Sequence, residues 1–120
     1  FTTPDDIDNV VRAVTCDGFD SAFSATPIHA FIWRLDPDGN AAAVNHNPAS
    51  PRERRQQRVI DFQENGAIYA MQANALRRTE NRFCGSIGII RTNTPVLEID
   101  EHDDLRIAEA IASLDQTETR

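Results

Sequence analysis

The chain of 120 residues carries 12 arginines and no lysine against 19 acidic side chains, so its formal charge is −7 and its pI is about 4.8. This is the length of one domain, and a hydrophobic content of 40% suffices for a folded core. No apolar run approaches the roughly 20 residues of a membrane-spanning helix, and no broad basic surface is expected, so we expect neither membrane insertion nor nucleic-acid binding.

The first half of the chain predicts a helix, a strand and a hairpin. Residues 3–6, Thr-Pro-Asp-Asp, are typical of a helix start, so we expect a helix over about 4–15. Small polar and apolar side chains alternate at 21–26 and predict a strand that ends at a proline. Residues 31–35 and 41–44 flank a turn with Pro and Gly, which indicates a hairpin. The apolar residues expected on the buried face of the helix are Ile7, Val10, Val11 and Val14.

The second half begins with a long irregular segment. Residues 45–65 show no periodicity, and structureless loops longer than about 12 to 15 residues are usually functional. Strand and helix patterns then alternate, which favours an α/β protein with a layered sheet. The predicted elements are a buried strand at 66–71, a helix at 72–79, strands at 86–91 and 97–100, and a helix at about 101–114.

An acidic cluster occupies residues 98–104. On a strand, Glu98 and Asp100 project to the same side, so their carboxylates can converge on a hard cation such as Mg²⁺. The alternative is that Asp100 caps the last helix and that the other acids favour its positive end.

An arginine cluster at 52–58 carries four positive charges and one negative charge. In an acidic chain this pattern indicates a local anion site, because guanidinium groups suit carboxylates and phosphates. The alternative is a solvated loop.

The cysteines and aromatic residues show no site pattern of their own. Cys16 and Cys84 are isolated from each other and from the histidines, so we expect no disulfide framework, no zinc site, and a reducing compartment, the cytoplasm. The larger aromatic residues lie in or beside apolar runs, so we expect them in the core. They are Phe31, Trp33, Phe62, Tyr69 and Phe83.

Five segments occur in one order along the chain: residues 20–27, 54–57, 64–69, 83–85 and 97–100. Together they resemble the acylneuraminate cytidylyltransferase family, which makes the CMP derivatives of sialic acid, of related nonulosonic acids and, more distantly, of KDO. The most specific are Asn-Gly-Ala-Ile-Tyr in the third segment and Glu-Ile-Asp in the last. The resemblance implies an α/β, three-layer nucleotide-diphospho-sugar transferase (Rossmann-like) fold, here lacking its N-terminal CTP-binding part.

The resemblance also implies roles for individual residues. Glu98 and Asp100 match the acidic pair that holds the cofactor Mg²⁺, with Glu98 standing where many members have Asp. Tyr69 matches a tyrosine of the acyl-sugar pocket. Phe83 matches one member of an aromatic pair beside the acyl group, and Cys84 takes the place of the other.

Arg55 matches an arginine in an extension that family members insert into the neighbouring subunit, where it completes the partner's active site. The resemblance therefore implies a homodimer in which Arg55 is the catalytic residue and also a substrate ligand. We expect residues 1–120 to be a single partial cytidylyltransferase domain with a dimerisation arm at about 29–60.

The expected reaction moves CMP from CTP to the anomeric hydroxyl of an acidic keto-sugar of the sialic type and releases pyrophosphate. The fragment alone should be inactive, because the loop that grips CTP belongs to the family's first half. Two alternatives stay open: a CMP-KDO-type synthetase of the same fold, and a non-catalytic dimerisation or regulatory module.

Overall fold

A computed structural model describes residues 1–93 and 96–118. Its elements mix helices and strands, as predicted for the α/β class. In chain order they are α1 (Pro4–Thr15), β1 (Ser21–Ile28), β2 (Trp33–Leu35), β3 (Ala41–Ala43), β4 (Asp61–Met71), α2 (Ala73–Thr79), β5 (Ile87–Arg91) and α3 (His102–Glu118).

The chain forms two compact units. The first, called the sheet unit, comprises Phe1–Thr26 and the chain from Gln63 onward, and the second, called the arm unit, is Pro27–Phe62. The residues of the expected arm, about 29–60, lie within the second unit, and their part in dimerisation stays a prediction.

The main sheet has three strands in the order β4-β1-β5. Strands β1 and β5 run parallel, with Ser21 opposite Ile87 and Ala25 opposite Arg91. On the other side of β1, the N–H of Gln72 donates to the carbonyl of Asp20 at 2.8 Å where β4 ends. Both β4 and β5 are thus anchored at the start of β1, which is the central strand.

Helix α1 begins as its sequence predicts. The Thr3 hydroxyl accepts a hydrogen bond from the Asp6 N–H at 3.2 Å, and the Asp6 carboxylate accepts one from the Thr3 N–H at 2.9 Å. This reciprocal capping box satisfies two N–H groups that lack helical partners. The helix buries Val10 and Val14 as expected, whereas Ile7 and Val11 are exposed, so its buried face is narrower than predicted.

The core of the sheet unit lies between α1 and β1. Its fully buried members are small, which lets the helix approach the sheet closely. They are Val10, Ala13, Val14 and Ala22, with Phe19, Ile68, Ala70 and Ile90 packed against them.

Several elements differ from the sequence prediction. Strand β1 continues through Pro27 to Ile28 instead of ending at the proline, and α3 extends to Glu118 instead of ending near 114. Residues 97–100 do not form the predicted strand, because a strand needs a hydrogen-bonded neighbour and, within residues 1–93 and 96–118, β4, β1 and β5 pair only with one another. Strand β4 begins at Asp61 rather than 66, so the irregular segment is shorter than predicted. The residues from Asp61 to Glu64 lack apolar alternation and give no strand signal.

The arm unit contains the predicted hairpin in shortened form. Strands β2 and β3 are antiparallel, and Trp33 lies opposite Ala43. The Asp36 carboxylate closes the turn by accepting from the N–H groups of Asp38 at 3.0 Å and Asn40 at 2.8 Å. These hydrogen bonds, with that of the Asn40 backbone the largest cause, lower the pKa of Asp36.

Among the described helices none is both long enough and apolar enough to cross a bilayer. Neither cysteine is in a disulfide: Cys16 is exposed and Cys84 is buried.

Candidate functional site

Three aromatic rings form a cluster on the sheet unit. Phe23 of β1 meets the ring of Phe83 edge to face at 5.4 Å and that of Tyr69 of β4 nearly parallel at 6.5 Å. Tyr69 and Phe83 contact each other at 6.0 Å. All three side chains are half-buried, so they form an accessible apolar surface, and Tyr69 and Phe83 are not part of the buried core as expected.

The other three aromatic residues that were expected in the core also lie outside it. Trp33 is 47% exposed and Phe62 is 37% exposed, while Phe31 is half-buried in the arm unit. The core prediction for these residues is wrong because Ala and Val of α1 and β1 already fill the space between helix and sheet.

The hydroxyl of Tyr69 donates a short hydrogen bond to the carboxylate of Glu64 on the same strand. This bond is the main cause that raises the pKa of Tyr69, and the neighbouring charges of Glu64 and Glu98 act in the same direction. An anion next to a phenol disfavours the phenolate. The Tyr69 hydroxyl therefore stays protonated and is a hydrogen-bond donor directed at Glu64.

Arg82 covers the aromatic cluster. Its guanidinium carbon lies 4.6 Å from the ring centre of Tyr69 and 5.4 Å from that of Phe83. Within the part of the chain that is described, Arg82 makes no ion pair, and it is exposed. A stacked guanidinium keeps its outer N–H groups free to bind a carboxylate or phosphate.

Glu98 reaches the same place from a distant part of the sequence. A Cβ atom on Gly66 would stand 3.0 Å from a carboxylate oxygen of Glu98, and the charge of Glu98 acts on Tyr69. Gly66 has a φ of +69°, a left-handed conformation that favours glycine. Glycine here serves twice, because it permits the backbone turn and leaves room for the carboxylate.

A buried polar network fixes the backbone at Gly66. The side-chain oxygen of Asn65 accepts from the Ser24 hydroxyl at 2.6 Å and from the Ala67 N–H at 3.2 Å. Its side-chain nitrogen donates to the Thr92 hydroxyl at 2.9 Å. Asn65 is 6% exposed, so this network ties β4, β1 and the residue that follows β5 together.

Within the acidic cluster, the residue that caps α3 differs from the one expected from the sequence, whereas the metal interpretation of Glu98 and Asp100 stays a prediction. The carboxylate of Asp104 accepts from the N–H groups of Asp100 at 3.2 Å and Glu101 at 2.9 Å, so Asp104 rather than Asp100 supplies the side-chain cap of α3. Glu98 and Asp100 are both exposed, and no group of three or more metal-ligating side chains occurs within residues 1–93 and 96–118.

Phe83 and Cys84 are neighbours with different environments. Cys84 is 1% exposed, and its backbone exchanges two hydrogen bonds with the Ser21 hydroxyl, at 2.9 and 3.2 Å. Cys84 therefore holds the segment against β1, whereas Phe83 contributes to the accessible surface.

Arg55 lies in the arm unit, in a turn closed by a hydrogen bond of 2.8 Å from the Gln57 N–H to the Arg54 carbonyl. Its side chain is exposed and, among the described residues, takes part in no ion pair. Its role across a dimer interface stays a prediction.

The structure thus brings together Tyr69, Phe83 and Glu98, which are separated by up to 29 positions in the sequence. Arg82, Glu64 and Asn65 were not predicted as site residues. Two sequence features point to two of them: Arg82 stands directly before Phe83, and Asn65 is a polar residue at the start of the buried pattern of β4. Together these side chains can hold an apolar group on the rings and an anionic group on Arg82.

Comparison with models of known protein families gives no match for this chain. A search among curated proteins also finds no matching sequence.

Proposed function

We propose that this chain is the sugar-binding part of a cytidylyltransferase that transfers CMP from CTP to the anomeric hydroxyl of a sialic-type nonulosonic acid. In this proposal the sheet unit belongs to a three-layer nucleotide-diphospho-sugar transferase fold in a cytoplasmic homodimer. The observation that carries it is the position of the Glu98 carboxylate beside Gly66 and Tyr69. The resemblance assigns Glu98 to the phosphate side of the reaction and Tyr69 to the sugar side, and the two must meet where the bond forms.

The aromatic cluster suits the acyl end of such a sugar. The rings of Phe23, Tyr69 and Phe83 give an apolar surface for an acyl group. Arg82, stacked on that surface without an ion pair in the described chain, can bind the sugar carboxylate. The Tyr69 hydroxyl, directed to Glu64, keeps the edge of this surface polar.

The proposed reaction is mostly a matter of positioning and charge neutralisation. The anomeric hydroxyl attacks the α-phosphorus of CTP, the new oxygen–phosphorus bond forms, and pyrophosphate leaves. Residues of this chain would orient the sugar, and Arg55 of the second subunit would offset negative charge on the sugar carboxylate or the phosphates.

Because residues 97–100 form no strand, the proposed cation site rests on donor chemistry alone: Glu98 and Asp100 are exposed carboxylates, and neither forms an ion pair in the described chain. A nucleotide-bound Mg²⁺ is usually held by one or two carboxylates, with phosphates and waters completing its shell. The ion, when bound, neutralises phosphate charge.

The test uses the full gene product that contains this chain, with CTP, Mg²⁺ and N-acetylneuraminate, and measures pyrophosphate release. We expect turnover in the wild type and a loss of about 100-fold or more in Asp100→Asn, the typical scale for removing one charge-stabilising group. The matched control is Asp103→Asn, an exposed acid that forms an ion pair with Arg106 at 3.6 Å and should leave turnover unchanged.

Two results would contradict the proposal. Turnover with KDO but not with any nonulosonic acid would assign the chain to the CMP-KDO-type alternative. No turnover with any sugar acid, from a folded wild-type protein, would favour the non-catalytic module.

A further inference from the structure

The arm unit contains a cleft of about 490 Å³ for which the proposed transferase reaction has no role. All of its lining residues lie between Phe31 and Asp61, so the cleft belongs to this unit alone. Its volume falls in the range of roughly 300–1,000 Å³ that is usual for small-molecule sites.

One wall of the cleft is held by Asn45. Its side-chain nitrogen donates to the Ala30 carbonyl at 2.9 Å and to the Asp61 carboxylate at 2.7 Å, while its oxygen accepts from the Ile32 N–H at 2.9 Å. These bonds occupy both amide hydrogens. Asn45 therefore fixes the shape of the cleft and is not available as a donor to a ligand.

Arg58 also helps to fix the shape of the cleft. Its side chain is only 9% exposed, it donates to the His29 carbonyl at 2.8 Å, and it lies 3.9 Å from the Asp61 carboxylate. Its guanidinium carbon rests 4.1 Å from the ring centre of Phe31. Because the protein itself neutralises this charge, Arg58 positions Phe31 and is not the group that attracts an anion.

Arg52 is the cation that remains free in the cleft. Its guanidinium carbon stacks on Phe31 at 4.5 Å, and no carboxylate pairs with it among residues 1–93 and 96–118. Stacking holds the planar group in place while its N–H donors stay open to a carboxylate.

His46 offers one hydrogen-bond acceptor. Its Nδ1 lies 3.2 Å from the side-chain oxygen of Asn45, which can only accept, so Nδ1 is the donor of this contact. In the tautomer that donates through Nδ1, Nε2 is a hydrogen-bond acceptor. The ring also meets Phe31 and Trp33 edge to face, each at 4.9 Å. Its orientation is therefore fixed by three neighbours.

The rest of the cleft combines polar side chains, among them Asn47 and Ser50, with an apolar surface. Trp33 is 47% exposed and Val59 is 88% exposed, and Pro48 and Pro51 complete this surface. A sugar requires many hydrogen-bond partners, whereas here most polar groups already bond to the protein. Glu53 also lines the cleft and opposes a second negative charge on a ligand.

We propose that this cleft binds an aryl carboxylate that bears one hydrogen-bond donor. The ring lies against the exposed indole of Trp33, the carboxylate pairs with Arg52, and the donor faces Nε2 of His46. This inference does not depend on the proposed transferase function.

The test uses the single tryptophan of the chain, Trp33, as a fluorescent reporter. Titration of the 120-residue chain with 4-hydroxyphenylacetate should change Trp33 emission saturably, with a Kd of about 1 mM or lower, as expected for a ligand of this size. The neutral amide of the same compound should bind about tenfold or more weakly, since it lacks the charge that Arg52 recognises.

Variants separate the two polar contacts. Arg52→Gln should weaken binding about tenfold, whereas Arg54→Gln, an exposed arginine outside the lining, should have no effect. His46→Phe should lower the affinity for 4-hydroxyphenylacetate towards that for phenylacetate, which lacks the donor.

The proposal is overturned if no saturable change occurs, if acid and amide bind equally, or if Arg52→Gln binds as well as the wild type. It is also overturned if sedimentation shows a dimer in which a soluble quencher such as acrylamide no longer reaches Trp33. Should Arg52→Gln fail to fold, the comparison of acid and amide on the wild type still decides.

Discussion

The carboxylate of Asp20 accepts two hydrogen bonds from Ser86, one from its backbone N–H at 2.8 Å and one from its hydroxyl at 3.1 Å. In return, the N–H of Asp20 donates to the Ser86 carbonyl at 3.0 Å. Because β1 begins at Ser21 and β5 at Ile87, this exchange joins the starts of the two parallel strands. It fixes the register of β1 and β5, and β1 carries Phe23 of the candidate site.

This relationship predicts a loss of stability in acid. The backbone hydrogen bond from Ser86, followed by that from its hydroxyl, lowers the pKa of Asp20 in the folded chain, and Arg78 adds to the effect. A carboxyl group whose pKa is lower when folded stabilises the protein above its unfolded pKa of about 3.9. That contribution is lost as the pH falls through the folded value.

Urea unfolding at pH 6 and at about pH 3 measures this contribution. Asp20→Asn should be less stable than the wild type at pH 6 and should lose less stability than the wild type on acidification. The control is Asp8→Asn, an exposed acid on α1. Identical pH dependence in wild type and Asp20→Asn would show that the Ser86 bonds contribute nothing to folding.

Gly85 should not tolerate a side chain. It has a φ of +59°, and a Cβ atom there would collide with the Asp20 carboxylate that Ser86 holds in place. We expect Gly85→Ala to lower the free energy of unfolding by about 2–4 kcal/mol, from left-handed strain together with the steric clash.

Gly18→Ala is the matched control for Gly85, because Gly18 has a φ of +86° and no atom of the described residues lies within 4 Å of the added Cβ. It should cost only about 1–2 kcal/mol, the conformational part. Urea unfolding measures both variants. Equal losses in their free energies of unfolding would show that the contact with Asp20 does not contribute to the loss in Gly85→Ala.

The buried amide of Asn65 predicts a third stability effect. Asn65→Ala leaves the Ser24 and Thr92 hydroxyls without their amide partner in a site where Asn65 is 6% exposed. Unsatisfied buried polar groups cost about 1–3 kcal/mol each, so we expect a loss of about 2–4 kcal/mol. Asn74→Ala, on the exposed side of α2, should change stability by about 0.5 kcal/mol or less. Two-state urea unfolding followed by circular dichroism compares the two variants.

Local signals predicted the elements that depend on local chemistry. The capping residues Thr3 and Asp6 mark the start of α1, and the turn at Asp36 marks the hairpin. The predicted strand at 97–100 fails because strand formation depends on a neighbour that a sequence pattern does not reveal. The first residues of β4 were missed for the converse reason, since pairing rather than alternation makes them a strand.

The candidate site was predictable only in part for a similar reason. Tyr69 and Phe83 carry an apolar signal, and the acidity around Glu98 is visible in the sequence. The stacking of Arg82 on both rings depends on tertiary approach, as does the space that Gly66 leaves for Glu98. No periodicity encodes either contact.

Tyr69 is the only tyrosine of the chain, so its ionisation can be followed directly by absorbance near the phenolate band. The hydrogen bond to Glu64, the largest cause, raises the pKa of Tyr69 above its usual value of about 10. For a group whose folded pKa is raised, the stabilising contribution is complete below the unfolded pKa and is lost as the pH rises through the folded one. We expect Tyr69 to titrate at higher pH in the folded chain than in urea.

Glu64→Gln should bring the folded pKa of Tyr69 back towards the ordinary one, because it removes the charge and the strong acceptor. Gln63→Glu provides the control, since it adds a charge one position away without the bond to the hydroxyl. Far-ultraviolet circular dichroism at each pH confirms that the fold persists, and a folded titration that coincides with that in urea would contradict the assigned Tyr69–Glu64 contact.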